Sequence, residues 1–106
     1  MANSTLTSSD TAERLAGTAF VHLSPALHGS YETTDFATAS EFVARVAKVA
    51  DELNHHPEIR LGYGSVAFEL SSHDAGGVTD RDVELAERID AIARSVGATA
   101  SRTPTA

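Results

Sequence analysis

Apolar residues recur along the chain with two periods, and the periods divide it into elements. Between Asp35 and Pro57, Phe36, Ala39, Val43, Val46, Ala50 and Leu53 return every three or four positions. That is the stripe of an amphipathic helix. Thr34 or Asp35 can cap its start. Pro57 bounds its end, because proline has no N–H for the ladder and drives His56 towards extended backbone. Val83, Ala86, Ile89, Ala93 and Val96 form a second stripe. Thr79 as cap, Asp82 three residues later, an acidic first turn and Gly97 mark its limits. Elsewhere the period is two. Leu27, Gly29 and Tyr31 alternate with His28, Ser30 and Glu32, and Val66, Phe68 and Leu70 alternate with Ala67, Glu69 and Ser71. A short run from Ala19 to Leu23, stopped by Ser24-Pro25, predicts another strand. A run from Ile59, with a turn at Gly62 and Gly64, predicts the partner of the last strand. Ser9 and Asp10 can cap a short first helix to about Gly17, with Leu15 and Ala16 as its buried candidates, and residues 73–78 read as a loop. The order is helix, two strands, helix, two strands, helix. It predicts an α+β fold with an antiparallel sheet, helices on one face, and the other face or the edge open to a second copy.

The length of 106 residues makes this one domain over 1–106, with 1–9 and 98–106 expected as disordered tails. Its core is modest, so association of copies is a natural supplement. Fifteen acidic against eight basic residues give a net charge of −7, which argues against nucleic acid as a partner. With no cysteine there is no disulfide framework, no thiolate zinc site and no thiol nucleophile. No run reaches the roughly 18 apolar residues of a membrane span. The N-terminal residues lack the basic start and apolar run of a secretory signal, so the expected location is the cytoplasm.

Candidate chemistry gathers at element ends. His55 and His56 stand where the long helix runs out, and His73 stands where the last strand ends. Asp51 lies one helical turn before His55 and can reach its imidazole. Histidine suits acid and base roles near neutrality, since its unperturbed pKa is about 6.5. Three histidines and an aspartate can in principle hold zinc. However, side chains of the adjacent His55 and His56 diverge, and no HExxH or His-x-His pattern occurs, so no metal is expected. His22 and His28 are expected to face solvent, and Arg81 to make a surface or interface ion pair.

The full spacing is Asp51-x-x-x-His55-His56-Pro57, five residues, Tyr63, nine residues, His73, eight residues, Asp82. It resembles the signature of the pterin-4a-carbinolamine dehydratase family. Three flanks agree: Phe68-Glu69-Leu70-Ser71-Ser72-His73 is similar to the family's strand ending in Thr-His or Ser-His; Gly77-Val78-Thr79-x-x-Asp82 is similar to its last helix start; and Tyr31-Glu32-Thr33-Thr34-Asp35-Phe36 is similar to its entry into the long helix. The resemblance covers about residues 26–96. The chain departs from the pattern in having no tryptophan, in Ile59-Arg60 where an aromatic is common, and in Gly62 and Gly64 flanking Tyr63.

The resemblance implies a four-stranded antiparallel sheet with three helices on one side, in a homodimer or homotetramer. It implies a lyase that removes water from a 4a-hydroxytetrahydropterin to give the quinonoid dihydropterin, in tetrahydropterin recycling. Acid/base work falls on His55 and His73. His56, Asp51 and Tyr63 bind or orient the pterin, and Pro57 and Asp82 are structural neighbours, with Asp82 fixing the last helix near the site. The pterin is substrate, so no further cofactor is implied. The rival expectation is a non-catalytic protein-binding or assembly module of the same fold. A weaker one is a related elimination on another pterin, on the molybdopterin side.

Overall fold

A computed structural model describes residues 5–101. The elements run α1 (Ser8–Leu15), β1 (Phe20–Leu23), β2 (Ala26–Glu32), α2 (Phe36–Leu53), β3 (Glu58–Leu61), β4 (Ser65–Leu70), α3 (Asp80–Val96) and β5 (Thr99–Ala100). The main sheet path is β1-β2-β4-β3, antiparallel throughout, and β5 pairs with the C-terminal end of β2. The architecture is the expected α+β one, with a fifth strand beside the four expected. The expected tails are shorter than read at their described ends. Leu6 N–H donates to Val78 at 2.7 Å, Ser8 and Ser9 belong to α1, and Ala98 is buried. The rest of those tails, 1–4 and 102–106, lies outside the described residues.

Alternation decides which side of each strand is buried. Leu27 and Tyr31 of β2 and Val66, Phe68 and Leu70 of β4 enter one core with residues from all three helices. His28, Ser30, Ala67, Glu69, Glu58 and Arg60 line a depression of about 270 Å³ on the opposite face. The centre of the core is aromatic. Phe42 meets Tyr31 and Phe68 edge-on, with ring centroids 5.2 and 5.3 Å apart, the arrangement ring quadrupoles favour. Gly29 is required at its place: a Cβ there would lie 2.7 Å from ring carbons of Phe20.

Two details of the helices differ from the sequence reading. In α2 the buried residues are Ala39, Phe42, Val46 and Ala50. Phe36, which heads the predicted stripe and is the first residue of α2, is 49 % exposed. In α1, Thr7 is the cap, not Ser9 or Asp10: Thr7 and Asp10 exchange side-chain to backbone bonds in a capping box, and Thr11, not Ala16, joins Leu15 in burial. At the other end of the chain, Gly97 closes α3 with φ +83°, a left-handed value that glycine adopts without a Cβ clash.

One polar tie crosses the core. The buried Tyr31 hydroxyl donates to Asp90 of α3 at 2.8 Å, and Arg94 donates to the other Asp90 oxygen at 2.7 Å. Burial, reinforced by Asp90, pushes the Tyr31 hydroxyl well above the ordinary tyrosine range.

Candidate active site

The register of β3 on β4 pairs Glu58 with Glu69 and Leu61 with Val66. The segment that precedes β3 and the one that follows β4 therefore leave the same end of the ladder. The first carries His55, His56 and Pro57; the second carries Ser72 and His73. The N-terminus of α3 lies at this end too, since Ser72 bonds both Thr79 and Asp82.

The helix stop aims the two adjacent histidines apart. Asn54 takes left-handed backbone, φ 53°, and its N–H and that of His55 fold back onto Asp51 and Ala50 carbonyls. This reversal sends His55 towards α3, where its Nε2 meets Asp82 Oδ1 at 2.5 Å. His56 turns back over the last turn of α2, where its Nε2 meets Asp51 Oδ1 at 2.9 Å. The expected Asp51–His55 contact is thus replaced by Asp51–His56. The positions four apart on a helix do not stay neighbours once the helix has ended.

The two pairs differ in environment. The His55 side chain is 11 % exposed and Asp82 is fully buried, whereas His56 and Asp51 are 59 % and 78 % exposed. Asp82 stands at the third position of α3, where its Oδ2 accepts the Thr79 N–H at 2.9 Å. The same oxygen accepts the Ser72 hydroxyl at 2.7 Å, while Oδ1 serves His55. Sequence reasoning saw the cap and missed the imidazole and the hydroxyls. The clue was its apolar neighbours: Val83, Ala86 and Ile89 place position 82 beside the buried stripe.

His73 begins an exposed turn, 73–76, pinned at its neck by the Ser72–Gly77 bridge. Arg81 donates to Asp74 at 2.7 Å. This is the ion pair expected of Arg81, and its hydrogen bond holds the Asp74 carboxyl below the usual range. Tyr63 is not brought to this end. It lies in the β3–β4 turn, past the opposite end of the ladder, and is 75 % exposed. His22 and His28 are half-buried instead of freely solvated; His22 Nδ1 lies 2.9 Å from Thr11 Oγ1. Among the described residues, no three of His, Asp and Glu group as a metal ion would need.

This end of the fold therefore holds one largely covered, carboxylate-bound imidazole, one exposed carboxylate-bound imidazole and one imidazole on a pinned turn. Such a set can give and take protons on a small ligand without a nucleophile.

The family model for pterin 4 alpha carbinolamine dehydratase matches residues 4–92, and the chain belongs to that family. It is 47 % identical over 87 residues to a Bradyrhizobium sp. protein named "Putative pterin-4-alpha-carbinolamine dehydratase", covering 82 % of this chain and 88 % of that one. A protein of the same name from Nitrobacter winogradskyi is 50 % identical over 72 residues, or 68 % of this chain and 71 % of the other. A crystal structure described as a transcriptional coactivator/pterin dehydratase from Brucella melitensis superposes with TM-score 0.77 at 35 % identity, covering 84 % of this chain and 98 % of that one. A second solved structure shares the fold, with TM-score 0.60 at 22 % identity over 76 % of this chain and 93 % of that one. It is described as a pterin dehydratase-like RuBisCO assembly factor of the alpha-carboxysome.

Proposed function

We propose that this protein removes water from a 4a-hydroxytetrahydropterin by histidine acid/base catalysis, giving the quinonoid dihydropterin. The observation that carries the reading is the pair of a largely covered His55 and a buried Asp82, set at the same end of the fold as His56 and the His73 turn, in a chain of the dehydratase family.

The reaction breaks the bond between the bridgehead carbon and its hydroxyl. One proton goes to the leaving hydroxyl, and one leaves the neighbouring ring nitrogen. Atoms balance as loss of one water, and no electrons are transferred. His55 and His73 take the acid and base roles. His56, steadied by Asp51, binds and orients the pterin from the solvent side. Tyr63 contributes to binding only where another copy or a moving turn brings it near, so its share is the smallest. The reading includes a homo-oligomer in the cytoplasm. Among the described residues β1 and β3 are the outer strands of the sheet path, and the exposed Val21, Leu23 and Leu61 on them support the association. Light scattering is expected to give a mass above the 11.1 kDa of one chain.

The second reading is a non-catalytic binding or assembly module, and the fold shared with the described assembly factor supports it. The three histidines favour the enzyme: the His55–Asp82 pair also serves the fold, but the exposed His56 and His73 beside it add proton-transfer groups that stability alone does not call for. The test is dehydration of freshly generated 4a-hydroxytetrahydropterin, followed by ultraviolet absorbance against buffer alone. The enzyme reading expects acceleration in proportion to protein concentration. A folded protein no faster than buffer would leave the binding module.

A further inference from the structure

We propose that Ser72 and Thr79 are positioning residues. Through Asp82 they hold the His55 ring with its proton on Nε2, so that Nδ1 is the nitrogen His55 offers to substrate. The proposal rests on the acid/base reading above.

The direction of every proton follows from the donor inventory. A carboxylate only accepts. Ser72 has one hydroxyl proton and gives it to Asp82 Oδ2 at 2.7 Å. Its oxygen can then only accept from Thr79 Oγ1, which lies 2.8 Å away. So the Thr79 hydroxyl donates to Ser72, Ser72 donates to Asp82, and the Thr79 N–H adds a second donor to Oδ2. With Oδ2 engaged twice, Oδ1 is the acceptor for His55 Nε2–H. A neutral imidazole carries one N–H, and a proton on Nε2 leaves the Nδ1 lone pair open. When the ring is charged, the proton it can release is the one on Nδ1.

This support is rigid because it is dry. Ser72, Thr79 and Asp82 are each no more than 1 % exposed, and a buried chain of hydrogen bonds fixes geometry that water would otherwise loosen. The Asp51–His56 pair is the internal contrast: it is exposed on both sides, and among the described residues its carboxylate meets the imidazole and no side-chain hydroxyl. The arrangement assigns His55 a fixed tautomer and leaves His56 free to reorient.

The test reads the tautomer without relying on activity. Long-range ¹H–¹⁵N correlation spectra of uniformly ¹⁵N-labelled protein report which imidazole nitrogen carries hydrogen. Wild-type His55 is expected as a single Nε2–H tautomer. Ser72→Ala frees one side of Oδ2 and lets the carboxylate turn away from the ring, so a fraction with Nδ1–H is expected, and kcat lower by about tenfold with KM little changed, the lower end of what losing the partner that orients a metal-bound imidazole costs. Ser72→Thr, which keeps the hydroxyl and matches the Thr-His form of the family strand, is expected to restore both. If Ser72→Ala does not fold, Thr79→Val removes the upstream hydroxyl and is read in the same way. An Nδ1–H tautomer in wild type, or an unchanged His55 spectrum in the hydroxyl-deleted variants, overturns the proposal. Failure of the dehydratase reading shows separately, as a wild type with no activity whose His55 tautomer still answers the structural question.

Discussion

Replacing Asp82 by Asn changes little volume and separates charge from shape. The amide oxygen can keep the Ser72 and Thr79 donors that now reach Oδ2. The amide NH₂ then faces His55 Nε2, where a carboxylate oxygen stood at 2.5 Å. Two donors cannot face each other, so His55 must move its proton to Nδ1 and accept at Nε2. Hydrogen bonds to a charged group contribute about 1.5–3 kcal/mol and neutral ones about 1 kcal/mol. For the His55 bond alone the net loss is therefore about 0.5–2 kcal/mol, or roughly 2–15 °C in Tm for a domain of this size. The lost tautomer should cost far more in rate, about a hundredfold or greater, as it does where an aspartate holds a catalytic histidine in other enzymes. Asp82→Ala removes every partner and is expected to cost about 3–5 kcal/mol, the scale of a broken buried pair. The assay is thermal unfolding by circular dichroism beside the dehydration rate. An Asn variant that melts with wild type and keeps its rate would show that the carboxylate does not hold His55, and the account of the site would fall.

Other consequences are testable more simply. Phe42→Ala, in the aromatic centre, is expected to cost about 3–5 kcal/mol in urea unfolding, while Phe36→Ala, although it heads the predicted stripe, stays within about 0.5 kcal/mol; equal losses would contradict the packing described. Gly29→Ala should destabilise by about 1–3 kcal/mol through overpacking against Phe20, and a neutral result in the same assay would mean the ring yields freely. At the start of α2, hydrogen bonds from the Thr38 side chain and backbone lower the Asp35 carboxyl below 3.8. A depressed carboxyl stabilises the fold above its unfolded value and loses that contribution as pH falls through the folded one. Asp35→Ala should therefore melt below wild type at neutral pH, with the gap closing under pH 3.8. A gap independent of pH would remove the charge from the explanation.

Much of this molecule is legible in its sequence because its periods are clean. The β2 and β4 alternations place Leu27, Tyr31, Val66, Phe68 and Leu70 correctly, and Thr79 and Gly97 bound α3 as read. The losses have physical causes. Phe36 and Phe42 both fit a helical spacing, and only the position of the sheet decides which is covered. Thr99-Ala100 is too short and too polar to signal a strand; it forms because β2 offers it an open edge. At the site, the residue types and spacing were readable, but the pairings were not. A left-handed Asn54 redirects His55 by more than any helical rule describes, and Asp82 looks like a cap until the fold brings Ser72 and His55 to its two oxygens. Tyr63 fits the family spacing, yet the length of β3 carries it to the far end of the ladder.

The central claim is that His55 and His73 work as acid and base at one end of the sheet. The most direct measurement is the single-turnover dehydration rate of a His55→Ala, His73→Ala double variant, with its fold checked by circular dichroism, beside wild type and buffer. The account expects wild type to be fast and the folded double variant to fall to the buffer rate. A folded double variant that still matches wild type would contradict it.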